Sequence, residues 1–475
     1  MATEIVWFRR DLRVHDHPAL DAARAGTDRL VPVFCLDDRL LQGRHASGPR
    51  THFMLECLRE LDEALRQRGS GLVVRHGPPE RELRELARET GAEAIHFTAD
   101  VTPFARQRGA RVSQALEDEA VELRPHPGLY VADRPGDVRT RKGSPQTVFS
   151  PYHRAWLAEG RRAIAPTPRN LPPLPDGLDS GDVPCLSDLG LAQEVEEPAR
   201  GGETAGRERM RAFLGGPVHD YAGDHDALGR DNGSRLSPYL RFGCVSALEL
   251  ESLLPGGEGP DAFRRQLCWR DFYAQLLLHH PDNARLEFRE RYRETIDWNR
   301  SDEDFDAWCE GRTGYPLVDA GMRQLRREGW MHNRARLVVG SFLTKHLGID
   351  WRRGERWFMR MLIDGDEASN NGNWQWIGSV GVDPQPVYRR VYNPARQQER
   401  HDPEGVYVRR YVPELDPVPD RYLSEPWTMP DDVQCEVGCT IGTDYPAPIV
   451  DHRAARELAL ERYRQAGLRA EISRL

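Results

Sequence analysis

Asp364-Gly-Asp-Glu-Ala-Ser-Asn-Asn-Gly-Asn-Trp-Gln-Trp376 is the stretch around which the rest of the sequence arranges itself. Asp364 and Asp366 stand one residue apart, Asn370 and Asn371 are adjacent, Gly365 and Gly372 flank the polar cluster, and Trp374 and Trp376 close it. Short carboxylates and amides can hydrogen-bond a heterocycle or a ribose, and glycine permits close backbone approach. Indoles offer stacking area and can also give up an electron. The plainer reading is a polar turn followed by buried tryptophans, so the decision falls to the surrounding chain.

From Gly206 onward the apolar spacing is mostly helical. Within Phe263–Tyr273, Gln266, Trp269, Arg270 and Tyr273 fall at i, i+3, i+4 and i+7 and so share one helix face. An amide, an indole, a guanidinium and a phenol together make poor core material, and they suit a cavity that reads a base by stacking and hydrogen bonding. Between Asp319 and Met361 ten Arg or Lys face four Asp or Glu, a local balance of +6 with Trp330, Phe342, Trp351, Trp357 and Phe358 interleaved. This predicts a nucleic-acid face, with a solvated helix surface as the alternative.

The first 130 residues read differently. Ile5–Phe8, Val31–Cys35, Leu72–Val74 and Ala94–Phe97 are short apolar runs, with amphipathic stretches at Met54–Arg68 and Glu80–Glu89 between them. Alternating strands and helices predict a parallel, Rossmann-like sheet covered on both faces. No G-x-G-x-x-G follows the first strand, which instead runs into Arg9-Arg10-Asp11-Leu12-Arg13. Such a cluster could hold an anionic ligand at the crevice of the sheet, or be a solvated loop. Residues 131–200 are punctuated by Pro and Gly and read as a connector with one anchored helix near Phe149, Tyr152 and Trp156. The fold class is therefore an α/β domain at 1–130, a connector at 131–200 and an all-α domain at 201–475.

Composition bounds the function. A chain of 475 residues can hold two or three cored domains. No apolar run approaches the roughly 20 residues of a membrane span. The opening MATEIVWFRRDLR lacks a secretory pattern, which predicts a cytoplasmic protein. Eight scattered cysteines, with no His or Cys near Cys435 and Cys439, predict a reducing compartment and no metal site. A net charge of −9 argues against a generally basic nucleic-acid binder while leaving room for a local basic face.

Five further motifs stand with the opening stretch: Ser234–Gly243 (SRLSPYLRFG), Trp269–Tyr273 (WRDFY), Gly314–Arg323 (GYPLVDAGMR), Gly329–Arg334 (GWMHNR) and Asp350-Trp351. Together they resemble the photolyase/cryptochrome flavoproteins, most closely the bacterial cyclobutane pyrimidine dimer photolyases, over nearly the whole chain. The resemblance implies an N-terminal antenna domain and a helical domain that binds FAD. It implies light-driven DNA repair, with a blue-light photoreceptor that repairs little as the alternative. Tyr221 and the segment Gly233, Ser234, Arg235, Leu236 and Ser237 match positions that hold the FAD phosphates and sugar. Arg270, Arg336, Asp364, Gly365 and Asp366 match other cofactor contacts, with Arg336 and Asp364 expected to pair. Asn370 matches the residue facing the flavin N5, where an Asn tolerates the reduced anionic flavin. Trp374, Trp351 and Trp298 match an electron-transfer chain. Gln266, Trp269, Arg270, Tyr273, Asn333, Arg334, Trp376 and Gln397 match contacts to a flipped-out lesion or its DNA backbone. The implied partner is DNA containing pyrimidine dimers, and the chain is expected to be a monomer without membrane association.

The sequence departs from that pattern in places. Gln266 stands where the dimer photolyases carry Glu, and Leu337 where they carry Met. Asp224–Gly229 (DHDALG) lacks their Arg and Phe-Pro, and Gly233 replaces a Thr. The (6-4) photolyases share Gln at 266 but pair it with two histidines, where this chain has Asn333 and Leu337. Plant-type cryptochromes place Asp where Asn370 stands, and the absence of a long C-terminal tail also weighs against a signalling protein. For the antenna, Thr102-Pro103 replaces the Asn-Glu of folate binders, while Phe34–Asp37 and Asp100–Arg106 are similar to deazaflavin binders. An 8-hydroxy-5-deazaflavin is therefore ranked ahead of methenyltetrahydrofolate, with an empty or flavin-filled site third.

Overall fold

A computed structural model describes residues 2–140, 142–230, 232–383 and 385–472; the last three residues of the predicted helical domain lie outside them. Five strands form one parallel sheet: β1 (Thr3–Phe8), β2 (Arg29–Leu36), β3 (Val73–His76), β4 (Ala94–Thr98) and β5 (Glu122–His126), in the order β3-β2-β1-β4-β5. Ile5, Val6, Trp7 and Phe8 are all buried, as a strand covered on both faces requires. The predicted strands are present. β5 was not expected, because its sequence, ELRPH, is polar and contains a proline, both tolerated only at a sheet edge.

The sheet order reverses beside β1, so the loop after β1 lies at the switch point. The Arg9–Arg13 cluster there is neither a solvated loop nor an open anion site. Arg13, 1% exposed, donates to the carbonyls of His15, Asp16, Gly128 and Gly243. Arg10 donates to Asp100 (3.2 Å), Asp366 (2.5 Å) and the Arg241 carbonyl. Leu12 N donates to Phe242 O at 3.0 Å. The guanidinium of Arg9 lies between Trp7 and Phe97, 4.8 Å from each ring centre. The cluster bolts the sheet onto the helical half, and its charges are consumed internally.

Apolar packing crosses the same joint. Phe53, on the helix Gly48–Arg66 that follows β2, sits 5.4 Å from Tyr239 and 5.5 Å from Phe242, and one buried cluster runs from the sheet to Phe272. A second cluster, around Trp308, Phe342, Trp351 and Trp374, belongs to the helical half. Residues 131–200 hold a single α-helix among the described residues, Phe149–Ala158, whose Phe149, Tyr152 and Trp156 are buried at i, i+3 and i+7. Trp156 Nε1 donates to Asp271 at 2.9 Å, anchoring that helix as the sequence predicts. No helix among the described residues is long and apolar enough to cross a membrane.

Candidate functional site

The helical half encloses a cavity of about 460 Å³, within the range of ligand-binding clefts. The stretch Asp364–Trp376 forms one wall. It is a helix, Glu367–Ile377, rather than a polar turn, and it starts where Asp366 accepts a hydrogen bond from Ser369 N at 2.9 Å. Asn370, Asn373, Trp374 and Ile377 fall at i, i+3, i+4 and i+7 and all line the cavity. The opposite face carries Gln375, whose amide donates to the carbonyls of Asn283 and Leu286. The facing wall is the helix Glu258–His279, which presents Gln266, Trp269, Arg270 and Tyr273 as the spacing predicts, with Gln266 exposed at the opening. Asn333, Arg336 and Leu337 from the helix Asn333–Ser341 and the loop at 233–237 complete the enclosure.

A polar network runs along this wall. Arg336 pairs with Asp364 at 2.7 Å and 3.3 Å, as expected. Ser237 Oγ donates to the same carboxylate at 2.6 Å and accepts from Trp330 Nε1 at 3.1 Å. Arg235 adopts the left-handed conformation (φ 48°), pairs with Glu328 at 2.9 Å and lies 4.5 Å from the Trp330 ring. Arg209 fixes the loop by donating to the carbonyls of Gly233 and Ser234. Burial raises the carboxyl of Asp366, but Arg10, Arg241 and Arg270 outweigh it and hold it well below the usual range. Next to it, burial and the Asp366 charge push Glu367 up to about 7. Asn370 donates from its amide nitrogen to Glu355 O (3.0 Å) and Glu355 Oε1 (3.1 Å). Both donors are thereby occupied, and only its carbonyl oxygen remains to accept from the cavity.

The indoles divide by environment. Trp269 stacks on Phe149 at 3.6 Å and 2°, and the Arg390 guanidinium covers Trp376 at 3.0 Å. Trp374 lines the cavity but is 3% exposed, packed edge-on against Phe358 (5.0 Å) and Trp308 (6.2 Å). Trp351, 1% exposed, donates to Glu287 at 3.3 Å. Trp298 is half-buried and meets Tyr463 edge-on at 6.3 Å.

Not every expected site residue lines the cavity with its side chain free. Leu236 does not line the cavity; it is fully buried, an apolar plug beneath the polar loop. Arg334 and Gln397 also lie off the cavity wall. Arg334 is held by Asp226 through two contacts, and the buried Gln397 Oε1 has no partner. Arg270 lines the cavity but spends donors on the carbonyls of Leu129 (2.6 Å) and Leu240 (3.1 Å). Most cations of the stretch 319–361 are paired within the protein or buried, while Arg326 and Arg356 are exposed. Arg323, Arg327, Arg334, Arg336, Arg352, Arg353 and Arg360 pair with Glu414, Glu197, Asp226, Asp364, Glu287, Asp302 and Glu194, and Lys345 is fully buried.

Sequence reasoning missed Arg241, Glu355 and Phe149. Arg241 lines the cavity, donates from Nε to Gly365 O at 2.7 Å, and leaves its buried Nη1 without a partner. Burial and the Arg10 charge bring its pKa down to about 9. Its place four residues after Ser237, on the same helix face, was a legible signal. Phe149 was marked only as an anchor of its own helix and Glu355 not at all; both reach the site through the fold.

Residues 4–173 match the sequence profile of the family described as DNA photolyase, and residues 263–465 that of the FAD binding domain of DNA photolyase. A deoxyribodipyrimidine photo-lyase of Streptomyces griseus is 44% identical, covering 96% of this chain and 98% of its own. Among solved structures, a class III photolyase from Agrobacterium tumefaciens superposes with a TM-score of 0.91 at 34% identity, covering 98% of both chains. An archaeal photolyase from Sulfolobus tokodaii, described with two FAD molecules, gives 0.83 at 32% identity, covering 97% of this chain and 99% of its own. With matches spanning both halves, the chain belongs to the DNA photolyase family, and its helical half is that family's FAD-binding domain.

Proposed function

We propose that this protein repairs cyclobutane pyrimidine dimers in DNA by light-driven electron transfer, with FAD in the cavity of the helical half. One juxtaposition carries the reading. A single enclosure combines the Arg336–Asp364 pair, the unpartnered Nη1 of Arg241, the oriented carbonyl of Asn370 and the edge of Trp374, with Gln266, Trp269 and Trp376 beside them. These residues fit FAD: an orphaned guanidinium suits an anionic cofactor, and hydroxyls and carboxylates suit its sugar and phosphates. When bound, FAD supplies the absorption of light and the electron.

The chain's own residues do the rest. Tyr221, Ser234 and Ser237 would hold the phosphate and sugar portions, Arg336 and Asp364 would anchor the ring system, and Asn370 would offer it a carbonyl acceptor. Trp374, Trp351 and Trp298 form an outward path from cavity wall to half-buried indole, able to carry an electron inward during activation. Trp269 and Trp376, each backed on one face, stack against the extruded bases while Gln266 hydrogen-bonds their edges. Repair breaks the two bonds joining the pyrimidines and returns the electron, so no atom or electron is gained or lost. We further assign residues 1–130 to an antenna domain, 131–200 to the connector and 201–475 to catalysis, with 8-hydroxy-5-deazaflavin ahead of folate as antenna. The second FAD described for the Sulfolobus tokodaii protein makes a flavin the next candidate. We place the protein in the cytoplasm as a monomer.

One observation favours a second reading, a photolyase-like cryptochrome: Arg334, an expected DNA contact, is already neutralised by Asp226. The deciding experiment follows thymine absorbance. The FAD-loaded protein is photoreduced with blue light, mixed with a thymine-dimer oligonucleotide, and illuminated in the near ultraviolet. Recovery of thymine absorbance is expected. Photoreduction without recovery would refute repair and move the function to light sensing.

A further inference from the structure

Asp224–Gly229 reaches the rim of the cavity through His225, and its two carboxylates are both engaged. Asp224 pairs with Arg230 at 3.0 Å and accepts from Asn232 Nδ2 at 2.7 Å. Asp226 engages Arg334 through both carboxylate oxygens, with Nε to Oδ1 at 3.1 Å and Nη2 on Oδ2. This is the fork-on-fork geometry with which an arginine grips a carboxylate or a phosphate alike. The pair sits at the mouth of the site: His225 and Asn333, the chain neighbours of Asp226 and Arg334, both line the cavity. It is partly desolvated, with side-chain exposures of 17% for Arg334 and 24% for Asp226. His225 lies 3.8 Å from the same carboxylate.

We propose that Asp226 is an internal competitor for DNA: its carboxylate occupies the guanidinium of Arg334 where a backbone phosphate would otherwise bind, and so sets the affinity of the rim for DNA. This rests on the DNA-repair reading above. A phosphate can take Arg334 only by displacing Asp226, so one potential phosphate contact is spent within the protein. The segment 224–229 thereby acts as an acceptor of cations instead of a supplier. The same arrangement raises selectivity. Undamaged duplex, which gains only backbone contacts, loses a larger share of its binding than a dimer-containing strand, which also gains contacts inside the cavity.

The test measures binding in the dark by fluorescence anisotropy, on undamaged and thymine-dimer duplexes, from 50 to about 200 mM salt, the range over which counterion release is read. Asp226→Asn keeps the shape and removes the charge; Asp226→Ser replaces it if the amide impairs folding. The expected result is tighter binding by about tenfold on undamaged DNA. The plot of log K against log salt should steepen by about one unit, the signature of one added phosphate contact. The gain should disappear in an Arg334→Gln background, because the competition needs the guanidinium. Unchanged or weaker binding by Asp226→Asn would overturn the proposal, since Asp226 would then be neutral or would orient Arg334 for DNA. An equal gain in the Arg334→Gln background would also overturn it, assigning the effect to general repulsion. If neither the native protein nor any variant binds either duplex, the DNA-repair reading fails and the proposal with it.

Discussion

Gly354 tests the placement of Trp374 without touching the indole. A Cβ built on Gly354 would lie 2.2 Å from Trp374 Cη2, 2.6 Å from its Cζ3 and 2.6 Å from Leu343 Cδ2. Ordinary carbon contacts are about 3.5–4.0 Å, so Gly354→Ala forces a retreat of roughly 1.5 Å. The ring has little room on two sides, where Phe358 and Trp308 pack edge-on to it. The open direction is the cavity. Overpacking of this kind costs about 1–3 kcal/mol, and here it also pushes the indole into space assigned to FAD. The assay combines thermal unfolding, bound FAD per chain and the rate of blue-light photoreduction. Gly354→Ala should lower all three. Gly372→Ala is the matched control, since its Cβ would meet Tyr273 Cδ1 at 2.1 Å on the opposite wall. It should cost similar stability while leaving the photoreduction rate per bound FAD unchanged. Gly340→Ala, with its nearest contact at 3.2 Å to Ile377, should be milder in every respect. If Gly354→Ala is as mild as Gly340→Ala, the indole does not pack on this helix and the assigned path fails at its first member.

Trp374→Phe should abolish photoreduction while leaving dark DNA binding nearly intact, and Trp269→Leu should weaken dimer binding while leaving photoreduction intact; surviving photoreduction in Trp374→Phe would refute the chain. Gln266→Glu, at the opening of the cavity, should raise repair yield by up to about tenfold, the worth of one better polar contact; a lower yield measured by thymine recovery would show that Gln266 does not meet the lesion. His332 responds to pH. Burial brings its pKa down to about 4 from 6.5. The folded state therefore binds fewer protons than the unfolded one, and stability falls as pH drops from about 6.5 to 4, by up to about 3 kcal/mol for this group. Its Nδ1 also caps the helix Asn333–Ser341 by accepting from Arg334 N at 3.2 Å, which requires the neutral ring. Urea midpoints against pH should show this acid limb, and His332→Gln should flatten it. Glu367, raised to about 7, works with opposite sign between about pH 4.5 and 7, so His332→Gln is best read beside Glu367→Gln.

Spacing within one element was legible, and relations between elements were not. The i, i+3, i+4, i+7 rule placed Gln266, Trp269, Arg270 and Tyr273 on one wall, because a helix fixes which residues share a face before it packs on anything. The buried strands were legible for the same reason, and β5 was not, because an edge strand needs no apolar run. Charge counting failed. A balance of +6 over 319–361 says nothing about partners that arrive from Glu194, Asp226 or Glu414, far away in sequence. The Arg9–Arg13 cluster failed in the same way, since its carbonyl and carboxylate acceptors lie on the helical half and the connector side of the sheet. The family resemblance supplied what local patterns could not, namely that Arg336 and Asp364 pair and that Asn370 lines the same cavity. It did not reveal Arg241 or Glu355, which act through what the fold leaves unpaired or pairs.

The same side chain takes opposite parts in this protein according to what surrounds it. An indole can stack on a ligand only if one face is supported and the other free, which is the state of Trp269 against Phe149 and of Trp376 under Arg390. An indole packed on both faces cannot be stacked upon, but it can be reached by a neighbouring ring and shielded from water, which is the state of Trp351 and, apart from the edge it turns to the cavity, of Trp374. Guanidinia divide likewise. Arg13 is spent entirely on carbonyls and is structural, Arg241 keeps one buried nitrogen unpaired and aimed at no protein atom, and Arg334 is held by a carboxylate that a phosphate could replace. Buried polar atoms are normally satisfied, so function in this fold concentrates where satisfaction is incomplete or exchangeable. That criterion singles out Arg241 among the cavity-lining residues and Arg334 at the rim, by what surrounds each guanidinium in the fold.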